Sequence, residues 1–221
     1  MKNKKILLEA GNWVWSLFTI NLAWFLLNFP LILMTVIIWN FPMKMNFFML
    51  NTVLIGMIMF FLIPSITAVF FGIKKWGERG NGEYFRTVLK CWWDQAFDMK
   101  LNGTIAIIIG LIVTGLKFFG ENSIMIQSEL LMISIFIIMF IITMSFLKAE
   151  NNYSLSNVLN ITIHHPVRLL VGAITFITLI GINTFLKLAF LIMICSVSLA
   201  ALITTSLFKN ASLKPDKGEK E

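Results

Sequence analysis

Residues 13–39, WVWSLFTINLAWFLLNFPLILMTVIIW, run for 27 positions without a charged side chain. Roughly 20 apolar residues are enough for a helix to cross the ~30 Å hydrocarbon layer of a bilayer. The segment therefore reads as a membrane span with room to tilt or kink. The same pattern returns at 47–73, 102–116 and 124–147. From Leu169 to Phe208 only Lys187 interrupts a 40-residue apolar stretch, too long for one helix and suited to a tight hairpin of two, 169–186 and 188–208. The expectation is an all-α, polytopic membrane helix bundle of about six transmembrane helices, one domain over 1–208, with a disordered mixed-charge tail at 209–221. Composition agrees: 58% of the residues are hydrophobic and 13% charged, with a mean hydropathy of +0.85, whereas soluble domains carry about a quarter charged residues.

The start, MKNKK followed by an apolar run, invites a signal-peptide reading. A signal core is only ~7–15 residues long and ends at a small-residue cleavage site, so the first span is expected to be a retained anchor. Orientation follows from the basic residues. One side collects Lys2, Lys4, Lys5, Lys74, Lys75, Arg79, Arg86, Lys90, Lys100, Lys148, Arg168, Lys209, Lys214, Lys217 and Lys220; the other has Lys44, Lys117 and Lys187. Fifteen against three places both termini in the cytoplasm of a multi-pass cell-membrane protein. The net charge of +7 is spread over short loops and termini, a distribution that suits the anionic head groups of the lipid bilayer rather than nucleic acid.

The longest charge-bearing interlude, GERGNGEYFRTVLKCWWDQAFDMK at 77–100, lies on the basic side. Its first part is a glycine-rich loop. From 83 to 100, Phe85, Val88, Leu89, Trp92, Trp93, Ala96 and Phe97 recur at helical spacing, with Arg86, Lys90, Asp94 and Asp98 every four residues along the other side. Such a helix suits the membrane interface, where tryptophan rings sit half wet. Packing beneath the bundle and docking of a cytoplasmic partner are the other two readings. A fainter echo, Val158-Leu159-Asn160 in SLSNVLNITIHHPVR, follows Val88-Leu89-Lys90 by 70 residues and also leads into a span, hinting at a repeated elbow-helix-plus-span unit.

Residues able to carry chemistry are few. Asn21 and Asn28, seven apart, share a face of the first span; they read as helix–helix hydrogen bonding or as contacts to a polar substrate. Pro30 and Pro64 interrupt spans one and two, each freeing a backbone carbonyl and kinking its helix, either for packing or for a central cavity. Pro64-Ser65-Ile66-Thr67-Ala68 combines small and hydroxylated residues that permit close approach, and Ser196, Ala200 and Thr204 form a second such stripe. His164 and His165 are adjacent and point apart on a helix, unsuited to one metal. Glu129 stands at the outer start of span four, and Asp94 and Asp98 read as ordinary surface charges. Cys91 and Cys195 have no CxxC or Cys/His spacing. No phosphate loop, GxSxG or HExxH is present; no enzyme activity, metal or cofactor is implied.

GNWVWSLFTINLAWFLLNFP, then PSITAVFFGIKKWGERGNGEYFRTVLKCWWDQAF, and later SLSNVLNITIHHPVRLL, together resemble the YesL-like bacterial membrane proteins, a family of unknown molecular activity. The likeness covers nearly the whole chain through moderately specific hydrophobic motifs. It implies a polytopic protein linked to carbohydrate uptake, with a sugar transporter component as partner, and brings no catalytic residues. The alternative class is a small secondary transporter with a polar cavity near Asn21, Asn28, Pro30 and Pro64.

Overall fold

The computed structural model describes residues 2–40, 47–78, 82–118, 123–185 and 195–212. All regular structure among them is helical. The apolar runs require this, because in hydrocarbon each backbone N–H and C=O has to be satisfied within its own segment. Helix α1 covers Lys2–Asn40 and α2 Phe47–Met57; a π-helical turn, Ile58–Leu62, joins α2 to α3, Ile63–Gly77. Then follow α4, Tyr84–Ala96; α5, Met99–Phe118; α6, Ile124–Ala149; α7, Leu155–His164; α8, Pro166–Phe185; and α9, Val197–Ser212.

Gly11–Ile37, Phe47–Gly77, Met99–Phe118 and Ile124–Ala149 are each long and apolar enough to cross a bilayer. The fifth expected span corresponds to α8, which begins three residues early and qualifies only together with α7, to which it is bent by 97°. Of the sixth, 188–194 lie outside the described residues, and α9 is a shorter apolar helix. The described chain is thus a multi-pass, membrane-embedded all-α bundle with four spans, or five when α7 and α8 count as one bent span. The tail beyond 212 lies outside the described residues.

The breaks have local causes. Pro166 opens α8, where its missing N–H would be unpaired anyway and its φ is preset for the helix. Ser154 caps α7 by accepting the Asn157 N–H at 3.0 Å. The two prolines of the first hairpin part ways. Pro30 does not interrupt its span: α1 continues through it to Asn40, with the ring on the exposed surface. Pro64 is buried, and the helix ahead of it widens into the π turn, whose Ile58 carbonyl accepts the Ile63 N–H.

Helix α3 is the centre of the bundle, packing on α1, α4, α6 and α9. Association inside a membrane depends on close packing more than on burial from water, and the small residues show where it happens. A Cβ on Gly72 of α3 would lie 3.1 Å from Val88 Cγ2 of α4 and 3.3 Å from Ile20 Cγ1 of α1. A Cβ on Gly110 of α5 would overlap the Ile55 side chain of α2. The Ser196, Ala200 and Thr204 stripe is buried, and Thr204 Cγ2 would be 3.2 Å from a Cβ on Gly172 of α8. It is a packing face. The short helices repeat a pattern: α4 leads into α5 and α7 into α8, and Val88 and Val158 are both fully buried.

Candidate functional site

Two groups of residues stand out from the apolar background: the intramembrane amides and hydroxyls of α1 and α3, and the short helix α4. Asn21 is completely buried, and its carboxamide oxygen accepts the backbone N–H groups of Val197 at 2.9 Å and Ser198 at 3.0 Å. These are the first two residues of α9. Cys195 and Ser196, just before them, form a π-helical turn. Asn21 thereby ties α1 to α9 through two buried hydrogen bonds, across 176 residues of sequence.

Asn28, on the same face as expected, meets a different partner. Its Nδ2 donates to Ser65 Oγ at 2.7 Å and to the Trp24 carbonyl at 2.9 Å, while Ser65 donates to the Leu62 carbonyl at 2.9 Å. Thr67, two residues on, turns to α6 and shares a 3.1 Å hydrogen bond with Ser145. The structure thus joins Asn28 to Ser65, separates Asn21 and Thr67 from that pair, and leaves Pro30 outside it. Asn28 Oδ1 and Trp24 Nε1, an acceptor and a donor one turn apart on α1, are buried with no partner among the described residues. Asn51, which hydropathy did not single out, bridges α2 to α5 by donating to Thr114 Oγ1 at 2.8 Å and to the Gly110 carbonyl at 3.3 Å.

Helix α4 is shorter than the expected 83–100, because the chain turns at Phe97-Asp98 and re-enters a helix at Met99. Its apolar side is divided. Tyr84, Val88 and Ala96 are buried, and Phe85, Cys91 and Trp92 pack against the core. Leu89 is half-buried, whereas Trp93 and Phe97 are 58% and 60% exposed. The paired tryptophans therefore do different things. Trp92 stacks on Phe61 with centroids 6.0 Å apart, and its Nε1 donates to the Phe60 carbonyl at 2.9 Å. That carbonyl lies four residues before Pro64, which has no N–H to offer it. Trp93 faces out and meets Phe97 edge-on at 5.2 Å.

Basic residues fasten α4 to the ends of the spans. Lys148, its side chain 8% exposed, donates to Asp98 Oδ2 at 2.8 Å and Gln95 Oε1 at 3.0 Å, with the Tyr153 ring 5.2 Å from its nitrogen. A cation so enclosed has to be paired, and Asp98, expected as a free surface charge, is its partner. Asp94, Arg86 and Lys90 remain exposed. Lys75 donates to Thr87 Oγ1 at 2.8 Å; Lys74 donates to the Ala149 carbonyl at 2.9 Å and approaches Glu150 at 3.6 Å. Burial, aided by Asp94 and opposed by Lys148, pushes the Cys91 thiol up to about 12, so it stays protonated and is no nucleophile.

Glu129 is exposed in the second turn of α6. His164 and His165 are both exposed, and His164 Nδ1 bonds the Asn160 carbonyl within its own helix. Among the described residues no group of His, Cys, Asp and Glu is placed to hold a metal. Comparison of the chain with protein-family models, with curated proteins and with solved structures finds no match.

Proposed function

We propose that the protein is a multi-pass component of the bacterial cell membrane, both termini cytoplasmic, that acts as an accessory or regulatory subunit of a carbohydrate-uptake system. The observation that carries this reading is the divided face of α4. Its inner half is bolted to the bundle by Trp92 and Lys148, while Trp93 on the helix and Phe97 in the turn that ends it are exposed, as are Arg86, Lys90 and Asp94. Aromatic anchors ringed by charge are what a protein surface offers a partner. The resemblance to the YesL-like family supplies the uptake context, and the excess of basic residues on the side that bears α4 supplies the orientation.

Pull-down of the full chain from native membranes is expected to recover a sugar transporter component, and the Trp93→Ala/Phe97→Ala double variant to lose it while remaining folded. Recovery of no transporter component sinks the accessory role. Topology has its own check: a reporter active only in the cytoplasm should be on at Gly80 and after Glu221 and off at Asn122. The reverse pattern at Gly80 overturns the orientation. A second reading, a small transporter in its own right, draws on the unpaired Trp24 N–H and Asn28 oxygen, which together match one hydroxyl of a polar solute. Sugar uptake into proteoliposomes holding this chain alone would favour it over the accessory role.

A further inference from the structure

A groove of about 710 Å³ opens between α5, α6 and α7, lined by none of the intramembrane amides and by no residue of α4. Leu101, Ile105 and Ile108 of α5 form one wall and Ile133, Phe136 and Phe140 of α6 the other. Helix α7, which follows α6, adds Leu155 and Thr162. Lys100, in the first turn of α5, stands at one end, and the groove follows α5 from there to Ile108. Eight residues of helix are about 12 Å, so the apolar walls reach well into the hydrocarbon layer.

We infer that this groove is a binding site for an anionic phospholipid, one acyl chain lying between α5 and α6 and the phosphate paired with Lys100. The polarity of the site matches such an amphiphile: bulky aliphatic and aromatic walls below, a single cation at the rim. Lys100 is exposed and enters no ion pair among the described residues, because Asp98, two positions before it, is taken by Lys148. A lipid chain fits the lining better than a protein helix. Close approach of helices in a membrane uses Gly, Ala, Ser and Thr, and of the lining residues only Thr104 and Thr162 are of that kind, the rest being long or bulky. Thr104, the polar side chain beside Lys100, already donates to the Lys100 carbonyl at 2.8 Å and does not compete for the head group.

The test is native mass spectrometry of the full-length chain in detergent, titrated with phosphatidylglycerol or phosphatidylcholine. One phosphatidylglycerol should be retained at about fivefold lower concentration than phosphatidylcholine, the factor expected for one lysine near the head group. Lys100→Gln should erase that preference. Lys117→Gln, which removes the same charge from the far end of α5, should leave it intact. Ile108→Trp and Ile133→Trp fill the groove from opposite walls; both side chains are already 40% and 47% exposed, so neither change disturbs the core. Each should abolish retention of either lipid. Equal retention of the two lipids by the unaltered chain overturns the inference. So does a preference that survives Lys100→Gln, or lipid retained in both tryptophan variants. A dimer that Ile108→Trp dissolves would likewise overturn it, assigning the groove to a second copy.

Discussion

Asn21→Leu is expected to destabilise the folded bundle by about 2–4 kcal/mol, although it replaces one buried side chain by another of similar size. Its oxygen accepts two buried backbone N–H groups of α9, and a buried donor that loses its partner costs about 1–3 kcal/mol. Part of that is offset, because leucine enters the bundle without the desolvation of an amide. Asn28→Leu provides the contrast. It removes one interhelical hydrogen bond to Ser65 but also removes an oxygen that had no partner, so its cost should be about 1 kcal/mol or less. Unfolding of both variants in mixed micelles measures the difference. Equal costs would mean that the Asn21 bonds do not hold α9 to α1.

The second large effect belongs to Trp92. Trp92→Ala removes a ring stacked on Phe61 and an N–H donated to the Phe60 carbonyl, and is expected to cost about 3 kcal/mol, the low end for deleting a packed tryptophan. Trp92→Phe keeps most of the ring and loses the N–H donated to the Phe60 carbonyl, for about 1 kcal/mol. Trp93→Ala, on the exposed side, should leave stability within ~0.5 kcal/mol. Hydrogen exchange in nanodiscs locates the change: amides of 84–96 should open faster in Trp92→Ala, and insertion should persist because the spans do not depend on α4. Unchanged exchange in that variant would show that the indole bond does not hold α4 to the bundle.

Much of this architecture is legible in hydropathy alone. The charge-free runs mark the crossing stretch of α1, α2 with α3, α5 and α6 to within a few residues, since solvation by lipid leaves little alternative to a helix; that α1 itself begins eleven residues before the run, at Lys2, is not legible there. The amphipathic spacing of Phe85, Val88, Trp92 and Ala96 likewise marks α4. What spacing does not carry is which neighbour a side chain meets. Asn21 and Asn28 share a face, yet one bonds the backbone of α9 and the other Ser65 of α3, because the face is wide enough to touch two helices. Trp92 and Trp93 are adjacent, yet a turn of about 100° per residue puts one against the π turn and the other outside. Asp98 reads as a surface charge until Lys148, fifty positions later in the chain, arrives beside it. Pro30 and Pro64 are the same residue in similar runs. Only the neighbours decide that one passes inside a continuous helix and the other follows a widened turn.

The bond between Asn21 and α9 also has a place in time. Asn21 enters the membrane with the first span, while Val197 is 176 residues from it. At ~5–20 residues per second, the ribosome needs roughly 9–35 s to supply that partner. Throughout that interval the two α9 donors that the Asn21 oxygen accepts from do not yet exist. Closure of α1 onto α9 through these bonds therefore waits until the chain has been made through Ser198.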